Sequence, residues 1–261
     1  MRVVSLQLPI RLGDLDSNRE KFLSALPEVI DEQPTIILLP EMWGTGFDYE
    51  NLVSFSKHTD GICKDIAGRL NESTLIIFSL PERNYNKVYN TVFAVSSDGV
   101  TARYRKNFLF SPLGEDTYID KGKGISVFEF SGVKVGLLLC YELRFPELFR
   151  MTAFAGADII AVPAIWPEMK KDHWLTLLKA RAIENQCFIA GCNTSVMHTS
   201  KKDMPCGFSA VFDPWGEALY EPRAGEGIFY AEISHDKVRE IREKIPSFDD
   251  AENAFFIQRK N

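Results

Sequence analysis

Three side chains with complementary chemistry stand where strand-like stretches give out. Cys140 ends the run VKVGLLL at 133–139, Glu41 follows Pro40 after IILL at 36–39, and Lys106 follows VTARYR at 100–105. A thiol is mostly protonated at neutral pH, so as a nucleophile it needs a base or a positive neighbour. A carboxylate in a crowded apolar site takes up a proton more readily and can shuttle one. An ammonium favours the thiolate and stabilises the negative oxygen formed when sulfur adds to a carbonyl or nitrile carbon. Glutamate, lysine and cysteine therefore suffice for covalent acyl chemistry with no metal and no cofactor. Each also has a plainer reading. Free cysteine is among the most buried residue types. A Glu after Pro is commonly solvated or a helix cap, and a Lys in RYRK reads as surface charge on a strand edge. What favours the joint reading is that all three occupy comparable places.

The elements that must position them follow from periodicity. Residues 3–8 alternate apolar and polar, the pattern of a half-buried strand. Ser17 and Glu20 form a capping-box pattern ahead of helically spaced Phe22, Leu23, Leu26, Val29 and Ile30, with Pro27 expected to kink or shorten that helix. Residues 34–39 and 75–80 read as buried strands around a helix at 61–70. A hairpin over 89–105 delivers Lys106, a loop over 107–124 carries Glu115, and a hairpin over 125–139 delivers Cys140. Pro146 can open a helix to 157. Beyond it come a strand at 158–163, a helix at 170–186, a strand at 187–192, a hairpin over 208–221 around DPWG, a strand at 227–233 and a helix at 235–244. The tail 245–261 is mixed. Strands in excess of a simple βαβ alternation imply a mixed sheet or two packed sheets with helices outside. If the strands before Glu41, Lys106 and Cys140 neighbour one another in a sheet, the three side chains converge at one rim.

Composition narrows the class. The 261 residues are 45% hydrophobic and carry a net charge of −6. No basic footprint points to nucleic acid or an anionic membrane surface. The N-terminus reads as a first strand and not a signal peptide. No apolar run approaches the roughly 20 residues that span a bilayer. Five cysteines without a C-x-x-C pair argue against a disulfide framework or structural zinc, and so for a cytoplasmic protein. His58, His173, His198 and His235 form no ligand pattern. With no linker or repeat, one domain is expected over 1–261, with 245–261 as its C-terminal tail.

LLPEMW at 38–43, YRKNFLF at 104–110 and LCYELRFPE at 139–147 resemble, in order and spacing, the three signature blocks of the nitrilase superfamily of carbon–nitrogen hydrolases. The likeness continues through ARAIENQ at 180–186, GCN at 191–193, GFS at 207–209 and DPWG at 213–216. It implies an α-β-β-α sandwich, two mixed sheets between helix layers. It implies Glu41 as general base, Lys106 as oxyanion stabiliser, Cys140 as nucleophile, the Tyr141 N–H as second oxyanion donor, and Glu115 as a second glutamate beside the lysine. Many relatives carry His two residues after the lysine, where this chain has Phe108. Members commonly form homodimers through helices, and Phe255 and Phe256 would suit a tail that crosses to the partner.

PAIWPE at 163–168, with His173, Trp174 and the helix that follows, is similar to the ω-amidase branch, which hydrolyses the terminal amide of small dicarboxylic or 2-oxo acid monoamides such as 2-oxoglutaramate. The resemblance implies a small-molecule amide substrate, with Trp166 either walling the site or lying in the core beneath it. Other linear amides (deaminated glutathione, N-carbamoyl compounds) and a non-catalytic scaffold are the alternatives. Arg144 is expected in a structural ion pair rather than as a carboxylate clamp, and His173 on a helix surface rather than in a Cys–His dyad.

Overall fold

Val3, Ile36, Leu38, Leu75 and Ile77 face one side of their strands, and Val4, Ile37, Leu39, Ile76 and Phe78 face the other; all ten are buried. A sheet that is apolar on both faces must be covered on both. In the computed structural model, which describes the backbone of residues 1–256 and the side chains of 1–251, the chain runs β1 (Arg2–Gln7), β2 (Ile10–Arg11), α1 (Leu15–Ala25), β3 (Thr35–Leu38), α2 (Leu52–Phe55), α3 (Thr59–Ala67), β4 (Thr74–Asn84), β5 (Lys87–Ser96), β6 (Gly99–Arg105), α4 (Glu115–Tyr118), β7 (Val127–Phe130), β8 (Val133–Leu137), α5 (Pro146–Phe154), β9 (Ile159–Ala164), α6 (Lys171–Asn185), β10 (Phe188–Asn193), β11 (Val196–His198), β12 (Met204–Pro205), β13 (Ala210–Phe212), β14 (Gly227–Glu232), α7 (His235–Lys244) and α8 (Ser247–Phe256).

Two mixed sheets result, ordered β14-β1-β3-β4-β5-β6 and β13-β10-β9-β8-β7, with a small third sheet β12-β11-β2. One core joins the facing sheets through Val3, Ile36 and Leu75 on one side and Val135, Leu137 and Ile160 on the other. It extends to Phe149 of α5 and Leu178 of α6. The second core lies between the first sheet and Phe22 of α1, Ile62 and Ile66 of α3. Each fully buried side chain of this size contributes about 1.5–3 kcal/mol. The layers are helix, sheet, sheet, helix, an α-β-β-α sandwich. Among the described residues no helix is long and apolar enough to cross a membrane.

Several local expectations are corrected. β1 is buried on both faces, because Ser5 and Gln7 are fully enclosed and find partners. Ser5 Oγ accepts from Tyr220 Oη at 3.1 Å, and Gln7 Oε1 accepts from Ser209 N at 2.8 Å. Helix α1 starts a turn before the Ser17 capping box, since Asp14 caps it through Ser17 N at 3.1 Å. It ends as Pro27 demands, passing into a 3₁₀ turn at Leu26–Glu28. The 107–124 loop carries the short helix α4, which begins at Glu115. The hairpin around DPWG shrinks to one bridge, Phe212 to Ala218, because Asp213 Oδ1 accepts from Trp215 N and Glu217 N and closes a tight turn. Within the tail, Ser247–Phe256 is helix α8, anchored by Phe248 on Phe154 with ring centroids 4.8 Å apart, and 257–261 lie outside the described residues. The side chains of Phe255 and Phe256 lie outside the described residues.

Candidate active site

Glu41, Lys106 and Cys140 do meet at one rim, but not from neighbouring strands. β3 and β6 are separated by β4 and β5, and β8 belongs to the other sheet. β3 pairs parallel with β4, and β4, β5 and β6 alternate antiparallel, so β3 and β6 end at the same edge. The constellation therefore bridges the gap between the two sheets. The bridge is a backbone contact: Glu41 N donates to Ala164 O at 3.4 Å, tying the end of β3 to the end of β9.

All three side chains are buried, Lys106 at 1%, Glu41 at 0% and Cys140 at 7% exposure, which excludes the surface readings of the glutamate and the lysine. Lys106 Nζ lies 2.8 Å from Glu41 Oε1 and 2.8 and 2.9 Å from the two oxygens of Glu115. Phe110 N donates to Glu115 Oε2 at 2.6 Å. Ile165 links base and thiol: its N–H donates to Glu41 Oε2 at 3.3 Å, and its carbonyl accepts from Cys140 Sγ at 3.7 Å. Cys140 has φ 41° and Met42, directly after Glu41, has φ 44°. Left-handed backbone at two non-glycine residues is strain that the surrounding packing must hold.

Two carboxylates and one ammonium leave the site with an excess negative charge. Burial works against the charge on Lys106. Glu41 and Glu115 outweigh it and hold the ammonium well above the ordinary lysine value. Burial, then the charge of Glu41, pushes the Cys140 thiol well above its ordinary value, and Lys106 offsets only part of this. The ammonium does favour the thiolate, as expected, but burial and the charge of Glu41 outweigh it, and the thiol keeps its proton at rest.

Above these groups opens a cleft enclosing about 550 Å³, part of it open to solvent. Trp166 is both wall and core. It lines the cleft at 5% exposure, donates through Nε1 to Lys170 O at 2.9 Å, and packs on Trp174 with centroids 5.4 Å apart. Tyr141 also lines it, its ring set between Phe110 and Phe145 at 4.9 and 5.2 Å. Arg144 makes no ion pair among the described residues. Its guanidinium lies 4.8 Å over the Trp166 ring, lining the cleft with Lys170. His173 is exposed on α6, with Nδ1 3.4 Å from Arg144 Nη2. Among the described residues no group of three or more His, Cys, Asp or Glu could hold a metal ion.

Asn90 is a site residue that sequence reasoning missed. Its Nδ2 donates to Glu41 Oε1 at 2.8 Å and Glu115 Oε1 at 3.3 Å. Its signal was a polar side chain in register with Val92 and Ala94 on the buried face of β5, where an amide needs partners. Glu142 was missed too, as one acid among several in a turn.

This fold and site define a hydrolase of carbon–nitrogen bonds in linear amides. A model of the carbon–nitrogen hydrolase family matches residues 2–243, and the chain belongs to that family, within the nitrilase superfamily. It is 36% identical over 257 residues to a 2-oxoglutaramate amidase of Bacillus subtilis, covering 94% of this chain and 95% of that one. It is 31% identical to the omega-amidase YafV of Yersinia enterocolitica, over 98% and 99% of the two chains. The crystal structure of XC1258 from Xanthomonas campestris, a CN-hydrolase superfamily protein with an arsenic adduct in its active site, superposes with a TM-score of 0.86 at 27% identity over 96% of both chains.

Proposed function

We propose that residues 1–261 form one amidase domain that hydrolyses the terminal amide of small dicarboxylic or 2-oxo acid monoamides through a Cys140 thioester. The observation that carries this is the buried Lys106 ammonium, 2.8 Å from both Glu41 and Glu115 at the mouth of the strand that ends in Cys140. Glu41 takes the thiol proton as sulfur adds to the amide carbon. Lys106 and the Tyr141 N–H, at the start of the turn Cys140–Arg144 where backbone donors lack intrahelical partners, hold the oxyanion. The C–N bond then breaks, and the proton on Glu41 leaves with ammonia. Water, activated by Glu41, adds to the thioester and frees the acid and the thiol.

The cleft favours an anionic substrate tail. Its floor holds two carboxylates and one lysine, which offsets only one of them. Arg144 and Lys170 also line it, and neither pairs with a carboxylate among the described residues. A neutral amide seated at Cys140 places a carboxylate or 2-oxo group toward those cations. The B. subtilis and Yersinia relatives support the same class. We also read the protein as a cytoplasmic homodimer. Its five cysteines are free and buried, which suits a reducing compartment. Ile183, Trp215 and Ile245, 41–47% exposed around the end of α6, suit a helix-mediated contact.

The test is ammonia release from 2-oxoglutaramate, succinamate, glutamine, butyramide and a simple nitrile. The expected result is turnover of the first two, abolished by Cys140→Ala. Turnover of neutral or bulkier amides alone would overturn the substrate assignment and leave the chemistry standing.

A further inference from the structure

Asn90 bonds to both carboxylates beneath the nucleophile and to the backbone of the lysine between them. Through its side chain it donates to Glu41 Oε1 at 2.8 Å and Glu115 Oε1 at 3.3 Å. Through its main chain it accepts the N–H of Lys106 at 3.0 Å. It is fully buried on β5, which lies between the strands that lead to Glu41 and Lys106 on the sheet's rim. Its Oδ1 is buried with no hydrogen-bond partner among the described residues. A buried acceptor left unsatisfied opposes folding, yet the amide cannot turn over to relieve it, because the oxygen would then face two carboxylates. The orientation is therefore fixed by the acids, and the unsatisfied oxygen is tolerated so that both N–H bonds can serve them.

We propose that Asn90 is a positioning residue of the acid–base machinery, one that assigns the two oxygens of Glu41 to different tasks. Oε1 is saturated by Lys106 and Asn90, each at 2.8 Å. Oε2 takes the longer bond from Ile165 N at 3.3 Å, on the side where Ile165 also holds the thiol. The proton of Cys140 therefore goes to Oε2. A neutral donor suits this place. It steadies two carboxylates without adding a second cation that would compete with Lys106 for them. Hydrogen bonds to the charged form of a carboxylate favour that form. Asn90 supplies one such bond to Glu41 and one to Glu115.

The inference rests on Glu41 being the base for Cys140, so the experiment reads that step without assuming a substrate. The rate of Cys140 alkylation by iodoacetamide is followed by mass spectrometry against pH in the wild type, Glu41→Gln, Asn90→Ala and Asn90→Leu. The leucine variant keeps the buried volume and lacks the donor, so it carries the test if the alanine variant fails to fold. The acid limb is expected to move to higher pH by about one unit in both Asn90 variants, with a roughly tenfold slower reaction on that limb. On an amide the enzyme hydrolyses, kcat should fall with KM within about twofold, because Asn90 acts through Glu41 and not on substrate. Wild-type limbs in the Asn90 variants, with the limb lost in Glu41→Gln, would overturn the role of Asn90 and leave the base in place. An unchanged limb in Glu41→Gln would overturn both.

Discussion

Glu142 Oε1 accepts the backbone N–H of Asn107 at 2.6 Å, the residue directly after Lys106. The other oxygen, Oε2, accepts the N–H of Leu139 at 2.9 Å, the residue directly before Cys140. Tyr104 Oη at 2.8 Å and Phe108 N at 3.2 Å complete the set. One buried carboxylate thus clamps the lysine loop of the first sheet to the cysteine turn of the second. Arg181 supports the same turn from α6, donating to Leu143 O at 2.9 and 3.2 Å.

Burial pushes Glu142 up to about 7 from its ordinary 4.5, against the pull of its hydrogen-bond donors. A protonated Glu142 cannot accept at full strength from Asn107 and Phe108 N–H on one side of the gap and Leu139 N–H on the other, and those groups cannot turn away. Activity is expected to fall as pH drops through about 7. Glu142→Gln should lose about 10- to 100-fold in kcat and lack this limb in its pH profile. Stability runs the other way. The folded state keeps this proton to higher pH than the unfolded chain, so between 4.5 and about 7 this group makes folding less favourable as pH rises. The melting temperature of the wild type relative to Glu142→Gln should therefore decline over that window, and thermal melts at pH 5 and 7.5 check it.

Lys106→Met is expected to cost at least about 10³-fold in kcat, since it removes the cation nearest the developing oxyanion. It also leaves Glu41 and Glu115 facing each other without compensation, which costs about 3–5 kcal/mol of stability. Adding Glu115→Gln should restore much of the stability and none of the activity. Denaturant unfolding and kinetics on the same three proteins separate the two effects.

Arg144→Met should raise KM for succinamate by about 10- to 100-fold and leave KM for butyramide within about threefold. The lost contact is a charge-assisted pairing with a carboxylate that butyramide does not possess. Equal changes for both amides would place Arg144 in packing against Trp166 and not in recognition.

Gly122→Ala tests how the lysine is held. Gly122 N donates to Lys106 O at 2.7 Å, and a Cβ on Gly122 would overlap the Arg105 carbonyl. Backbone cannot swing aside as a side chain can. The substitution should destabilise by about 1–3 kcal/mol and lower kcat by displacing Lys106, whereas Gly61→Ala on α3, with no neighbour within 4 Å among the described residues, should leave kcat unchanged.

What the sequence revealed followed from periodicity and local spacing. β8 and the turn after it were readable because apolar residues stop abruptly at Cys140, and Pro146 starts α5 as its chemistry requires. The pairing of β3 and β6 through two intervening strands was not readable, because strand order depends on contacts far apart in the chain. The same limit hid Asn90 and Glu142. Both act through partners 25 to 49 residues away, at Glu115, Glu41, Asn107 and Tyr104, and nothing beside them in the chain marks them. Ser5 and Gln7 misled for a related reason: polar side chains signalled a solvated face, but distant Tyr220 and Ser209 satisfy them in the interior. Arg144 was misjudged because its neighbour is an indole contributed by a different loop.

The most direct measurement of the central claim is the mass of Cys140 during turnover. Wild-type protein is mixed with an amide it hydrolyses, quenched in acid within the first turnovers, and mapped by peptide. The account predicts the substrate's acyl group on Cys140, absent when hydrolysis is complete and absent throughout in Cys140→Ala, which should release no ammonia. Ammonia release by Cys140→Ala at the wild-type rate, with no acyl group on Cys140 in the wild type, would contradict the covalent mechanism outright.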